Sequence, residues 1–309
     1  MSATGNGVAA TAQATPHICL DHVGFIVRDL DATCDFLAQL GFTQTARANH
    51  TRTNEHGQRV SAGSSQRSIM LGNGYVELMQ ITDPTAGHQL ASAPSERLGL
   101  HIVAFGTRDA TLCHSVCVAN GVEAGPVLHW ARPVNEIGVQ GLAQFAYFGA
   151  AWKASDPAYL CWVEHCTPQL MRSAQLLAHA NGALALVELH FAGPRQQASD
   201  WAARLQAAGA RLLHARAEGI ALSLPNAVLR VDFDEQRSCV CPSALVFEFV
   251  DVAWLRTRCT QLGLALREID YPEAPQKAHD AIEAAFDLDL AAQLGLHLIC
   301  RRAAAPKEP

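Results

Sequence analysis

Charge is scarce in this 309-residue chain: 23 basic and 29 acidic residues make up 17%, against roughly a quarter in an average soluble chain. The net charge is −6 and no run of Lys or Arg occurs, so the electrostatic footprint that nucleic acid or an acidic membrane surface requires is missing. Long hydrophobic runs are missing too. The most apolar stretch, residues 183–192, is short and contains Glu188 and His190, so no membrane-spanning segment is expected. Residues 1–16 lack a basic start and a continuous apolar core; they read as a disordered small-residue tail, not a secretion signal, and the expected location is the cytoplasm. The chain has ten cysteines but no Cys-x-x-Cys pair, which points to reduced thiols and away from a structural zinc. No Gly-x-Gly-x-x-Gly follows a strand, and phosphate-loop and Gly-x-Ser-x-Gly patterns are absent, which removes the main support for nucleotide-dependent or serine-hydrolase chemistry.

What is present is a repeat. A β-rich run over residues 18–27 leads to Asp29, an N-cap residue, then to Leu30, Cys34, Leu37 and Leu40 at helical spacing, and Gly41 stops the helix. The order returns with 100–105, Asp109, Leu112 and Val116 before Gly121. It returns again with 184–191, Trp201 and Leu205 before Gly209, and with 245–250, Leu255 and Cys259 before Gly263. Short apolar runs broken by Gly, Asn or Pro follow each helix and suit antiparallel strands. In the first copy these are expected at 42–46, 67–71 and 75–81, and in the third at 211–214, 220–224 and 227–233. The fourth copy is irregular, with a helix expected over 278–294 before a last strand at 296–300. The fold class expected is α+β: four βαβββ modules paired into two curled mixed sheets. One unit alone exposes an open edge and half a core, so units should pair. The expected division is a tail at 1–16, an N-terminal pair at 17–178 carrying the site, a degenerate C-terminal pair at 179–302 and a tail at 303–309, with the halves joined near 179–182.

The run Leu20-Asp-His-Val-Gly-Phe-Ile-Val-Arg-Asp-Leu-Asp31, with Leu40-Gly-Phe42 and Gly74-Tyr-Val-Glu-Leu78, closely resembles the first module of the vicinal oxygen chelate superfamily, which holds glyoxalases, epimerases, bleomycin-resistance proteins and extradiol dioxygenases. The nearer resemblance is to its glyoxalase-like branch, through Ser-Ile-Met-Leu71, Ala-Arg-Pro-Val134, His165-Cys-Thr-Pro168 and His179-Ala-Asn-Gly-Ala183. It is strong over residues 17–192 and weak beyond. At the place where that branch would have histidine, this chain has Arg67.

Alternate strand residues share a face, which groups His22 with Leu20, Gly24 and Ile26, and Glu77 with Tyr75 and Met79. The second unit offers His101 and Glu164. The resemblance implies that His22, Glu77, His101 and Glu164 hold a divalent ion (iron, zinc, nickel, manganese or cobalt), because imidazole and carboxylate suit these metals. His101 stands eight residues before its helix cap against seven for His22, so one residue of slip would turn it to the other face. Glu164 and His165 are adjacent, and only one of them can line the cup. Glu77, Glu164 and His165 are the candidates for proton transfer, and His50, Arg67 and Arg132 for substrate binding, since an arginine fork holds a carboxylate through two parallel hydrogen bonds. Tyr75 and His22 could serve without a metal. His190, Asp232, Glu248 and His297 tempt a second site, but apolar sheet faces explain those strands without ligands. Trp130, Trp162 and Met79 read as packing residues.

The implied function is a metal-dependent lyase or isomerase of glyoxalase or epimerase type acting on a small oxygenated metabolite. The alternatives are a non-heme iron dioxygenase and a drug-sequestering binding protein. The partner expected is a small-molecule substrate, with a homodimer as the one protein assembly considered.

Overall fold

The computed structural model describes residues 17–53, 56–86, 90, 99–136, 138–269 and 285–303. The tail expected at 1–16 and, apart from residue 303, the tail expected at 303–309 lie outside the described residues.

The N-terminal sheet contains β1 (Ile18–Ile26), β2 (Ala48–Thr53), β3 (Arg59–Leu71), β4 (Gly74–Ile81), β5 (Gly99–Thr107), β6 (Leu128–Glu136), β7 (Val139–Gly149) and β8 (Tyr159–His165), in the spatial order β2-β3-β4-β1-β5-β8-β7-β6. Helix α1 (Leu30–Gln39) follows β1 and α2 (Ala110–Ala119) follows β5. The two βαβββ modules meet through the antiparallel β1–β5 pair, while β4 runs parallel to β1 and β8 parallel to β5. Each helix starts as the sequence indicates: the Asp29 carboxylate accepts from the Ala32 N–H and the Asp109 carboxylate from the Leu112 N–H. A short helix, α3 (Ala174–Leu177), leads to the second half.

The C-terminal sheet repeats the plan with β9 (Ala183–Gly193), β10 (Arg211–Ala215), β11 (Gly219–Leu224), β12 (Ala227–Phe233), β13 (Cys241–Phe249), β14 (Leu266–Ile269), β15 (Ala285–Leu290) and β16 (Leu296–Arg302), ordered β10-β11-β12-β9-β13-β16-β15-β14. Helices α4 (Arg195–Ala207), α5 (Ala253–Gln261) and α6 (Ala291–Leu294) complete it. Four modules in two eight-stranded mixed sheets are therefore present, as the repeat implied.

One apolar core runs through both halves, from Val23, Phe25 and Phe105 to Phe191, Trp201 and Phe249. Trp162 is fully buried, stacks on Phe148 at 4.8 Å, and donates from Nε1 to the Ala208 carbonyl of the other half. Asn226 accepts from the Leu20 N–H and donates to the Leu20 carbonyl, so the second sheet ties directly to β1. At the junction, His179 accepts from the Thr43 N–H at Nδ1 and donates from Nε2 to the Met70 carbonyl. Burial lowers its pKa, which favours the neutral ring that these two bonds need.

Two local expectations are corrected. The first post-helix strand is β2 at 48–53, not 42–46: Ala-Asn-His-Thr-Arg-Thr is a polar edge strand held by its ladder to β3, with no apolar alternation to reveal it. Residues 285–290 of the expected helix form β15, while α6 covers only 291–294; residues 278–284 lie outside the described ones. Phe286, Leu288 and Leu290 are buried at period two. Asp287 between them meets His297 and Arg267, and this alternation outweighs the helix propensity of the flanking alanines.

Candidate functional site

Strand bulges build the site. Leu20 pairs with Phe105 and His22 with Ala104, so Asp21 is an extra residue in β1. Neighbours in a regular strand point to opposite faces, but a bulge breaks that alternation. Leu20 therefore packs in the main core, not on the face of His22, and Asp21 Oδ2 accepts a 2.8 Å hydrogen bond from Nδ1 of the adjacent His22. The same carboxylate accepts from His165 Nε2, at 2.9 Å to Oδ1 and 3.0 Å to Oδ2. Burial alone would raise the Asp21 carboxyl, but the hydrogen bonds and charge of His165 and then of His22 outweigh it and hold the group well below the ordinary carboxylate range. Asp21 is thus an anion although only 6% exposed.

Tyr75 stacks on His22 with centroids 4.2 Å apart and planes 16° apart, fixing the imidazole plane. Burial, reinforced by the charges of Asp21 and Glu77, pushes its phenol well above its usual pKa, so Tyr75 is a neutral hydroxyl.

A second irregularity lies between β2 and β3: Asn49 pairs with Ser65 and Thr51 with Ser61, so Ala62, Gly63 and Ser64 stand opposite His50 and the bulge is in β3. Within it Gly63 takes φ +72°, and a Cβ there would overlap the Asp83 carbonyl oxygen, so glycine is required for β3 to bend. His50 Nδ1 lies 2.7 Å from Ser64 Oγ, and its Nε2 lies 3.6 Å from Glu77 Oε1. That second separation is an ion-pair distance and too long for a direct hydrogen bond.

His22, His50, Glu77 and Arg132 line one cup of about 280 Å³, together with Tyr75, Gln66 and Ser68. The rest of the wall is mainly apolar: Met79, Ile102, Trp130, Phe145, Tyr147 and Tyr159. Met79 packs in a buried cluster with Leu90 and Ile102 and also forms part of this wall, while Trp130, 42% exposed, lines it. Burial pushes the Tyr147 phenol up to about 12, so it too stays protonated. His165 lines a neighbouring cavity behind Tyr75, Val163 and Met171, and reaches the cup through Asp21.

Three expected residues are placed elsewhere. Gly24 pairs with Ile102 and Phe25 with Leu100, so His101 is itself the extra residue of a bulge; Ile102 lines the cup, and the His101 ring, 0% exposed, donates from Nδ1 to the Gly99 carbonyl. Glu164 Oε2 accepts from the Ala110 N–H at the start of α2, where a carboxylate suits the helix dipole. Arg67 donates from Nε to the Thr45 carbonyl beside α1. The four residues expected as metal ligands therefore do not converge, and among the described residues no group of three or more His, Cys, Asp or Glu is arranged to hold a metal ion. Asp21 went unrecognised in the sequence. Counting back seven residues from both caps, to His22 from Asp29 and to Ile102 from Asp109, would have aligned Asp21 with His101.

The corresponding half of the second sheet is filled by ion pairs. Buried Glu188 accepts from Arg230 Nε at 2.7 Å and meets His190 Nε2 at 3.0 Å, while Arg301 bridges Glu188 and Glu248. Burial raises the nearby Asp232 carboxyl.

Comparison with known proteins agrees with this architecture. The family model described as "Glyoxalase-like domain" matches residues 20–209. The chain belongs to the glyoxalase-like domain family. The family's match covers β1 through α4 and contains every cup residue named above. No curated protein sequence matches the chain. Among solved structures, a hypothetical protein from Staphylococcus aureus is 9% identical with a TM-score of 0.60, covering 93% of this chain and 100% of its own. A triple mutant of 4-hydroxymandelate synthase from Streptomyces coelicolor is 14% identical with a TM-score of 0.56, covering 94% of both chains. A fusion of a xylose isomerase-like TIM barrel with 4-hydroxyphenylpyruvate dioxygenase is 13% identical with a TM-score of 0.56, covering 99% of this chain and 52% of its own. At these identities the likeness is one of fold, and a shared fold carries no reaction with it.

Proposed function

We propose that this glyoxalase-like chain is an enzyme of lyase or isomerase type that moves a proton on a small oxygenated substrate held in the N-terminal cup. The observation that carries this reading is the hydrogen bond from His22 Nδ1 to the buried Asp21 carboxylate. An ionised carboxylate only accepts, so Nδ1 bears the proton and, in the neutral ring, Nε2 is left as the basic nitrogen. The Tyr75 ring holds that imidazole in plane. His22 is then a general base whose tautomer and orientation are set in advance, and Asp21 stabilises the imidazolium that forms. Asp21 is a positioning residue and does not itself take the proton.

His50 and Glu77 form a second proton carrier on the same wall. Removal by one group and return by the other gives isomerisation or epimerisation. Removal followed by loss of a leaving group gives a lyase reaction. The Tyr75 hydroxyl, kept neutral by burial, can donate to oxygen as negative charge develops there. Every step uses side chains of the chain itself. The ten cysteines are all free, in keeping with a reducing, cytoplasmic compartment. No helix among the described residues is long and apolar enough to cross a membrane.

The test is NMR of a panel of small 2-oxo acids, 2-hydroxy acids and hydroxyketones incubated in D2O with the protein. At least one member should gain deuterium at the carbon beside its carbonyl, and Glu77→Gln should slow that exchange by about 10²-fold, the usual contribution of a general acid–base group. Exchange at the uncatalysed rate across the whole panel would refute the proposal.

A further inference from the structure

The cup contains a cation that the proton-transfer chemistry does not use. Arg132, on β6, is half-buried, with its guanidinium carbon 5.9 Å from the centre of the Phe145 ring. Its Nη2 reaches Met171 Sδ at 3.7 Å, and a thioether is a weak acceptor. Arg204, Arg230 and Arg301 elsewhere in the chain each meet a carboxylate. No carboxylate among the described residues pairs with Arg132. A guanidinium on an apolar wall attracts an anion more strongly than one in water does, because fewer dipoles screen it. Its planar fork matches a carboxylate through two parallel hydrogen bonds. The other arginine of the cup, Arg52, has its Nε bound to the Ala86 carbonyl. Arg132 therefore offers its guanidinium fork to a ligand without a protein carboxylate on it.

The remaining wall specifies the rest of the molecule. Trp130 and Tyr147 meet edge to face, with centroids 5.3 Å apart at 77°, and Phe145 and Tyr159 continue the surface. Aromatic walls of this kind favour a ring, which can stack or meet them edge-on, over a flexible alkyl chain. A cavity of about 280 Å³ has room for one small ring and its substituents.

We infer that the substrate class of this cup is the small aromatic carboxylate, with Arg132 gripping the carboxylate and the ring lying among Trp130, Phe145 and Tyr147. The inference rests on the reading of the cup as the working site, but not on which group moves the proton. Arg132 is thereby a specificity-determining residue.

The experiment is isothermal titration of the full chain with phenylacetate, its neutral isostere phenylacetamide, cyclohexylacetate and acetate. Phenylacetate should bind at least tenfold more tightly than the amide and more tightly than cyclohexylacetate, and acetate should give no signal. Arg132→Gln should bring the acid-to-amide ratio to about one, and Arg132→Lys should keep part of the preference because it keeps the charge without the fork. Equal affinity for acid and amide, an unchanged ratio in Arg132→Gln, or no phenylacetate binding at millimolar concentration would each overturn the inference. Acid preference in a protein that exchanges no substrate deuterium would leave the inference standing and remove the proton-transfer reading alone. Exchange without acid preference would do the reverse.

Discussion

Replacing Asp21 by Asn tests the electrostatic centre of the site, because it keeps the shape of the side chain and removes its charge. The carboxylate accepts from two imidazoles, His22 at 2.8 Å and His165 at 2.9 Å. An amide offers one oxygen, so one imidazole N–H loses its acceptor and faces an NH2 group instead. Hydrogen bonds to charged groups contribute about 1.5–3 kcal/mol each and neutral ones about 0.5–1.5 kcal/mol. Losing one bond and weakening the other should therefore cost Asp21→Asn about 2–4 kcal/mol at pH 7. The sign with pH follows from the lowered carboxyl. A group whose folded pKa lies below its unfolded value of about 3.9 contributes its stability above that value and loses it as pH falls toward the folded one. The gap between wild type and Asp21→Asn should hold from pH 7 to about 5 and narrow below about 4. Urea unfolding at intervals from pH 7 to 3.5 measures it. A gap that stays constant across that range, or no gap at pH 7, would refute the view of Asp21 as a buried anion shared by two histidines.

Further outcomes follow from the same contacts. Nitrogen-15 NMR of histidine-labelled protein near neutral pH should show His22 protonated at Nδ1, and Asp21→Asn should shift the tautomer balance of that ring; Nε2 protonation alone in wild type would contradict the assigned base. Gly63→Ala should destabilise the chain by about 2 kcal/mol in urea, since the left-handed backbone there costs a side chain about 1–3 kcal/mol, and a change below 0.5 kcal/mol would show that β3 bends without glycine. Trp162→Ala should cost about 3–5 kcal/mol, and Trp162→Phe much less, because the stack on Phe148 is kept while the bond to Ala208 is lost.

The four modules were legible in the sequence because each repeats a local signal: an apolar strand, an Asp cap in the first two copies, apolar positions at helical spacing and a stop glycine. Strands β11 and β12 were legible for the same reason. β2 was not, since an edge strand of polar residues is held by its partner's ladder and not by burial of its own side chains. In the site, His22 and Glu77 were legible as residue types on expected strands, and His50 and Arg132 as substrate-binding candidates outside any expected strand. Asp21 and His101 were not, because a bulge inserts one residue and changes which side chains share a face, and strict alternation cannot register it. Glu164 has the chemistry of a ligand but sits where a helix start needs an acceptor. The choice between Glu164 and His165 was open in sequence; geometry directs His165 to Asp21.

The most direct measurement compares wild type with His22→Gln in D2O, using a substrate that exchanges and following loss of the proton signal beside its carbonyl. Glutamine keeps a polar side chain at that position but has no basic nitrogen. Loss of exchange by about 10²-fold or more, with substrate affinity changed less than threefold, is the result expected if His22, oriented by Asp21, takes the proton. Exchange at the wild-type rate in His22→Gln would contradict that role.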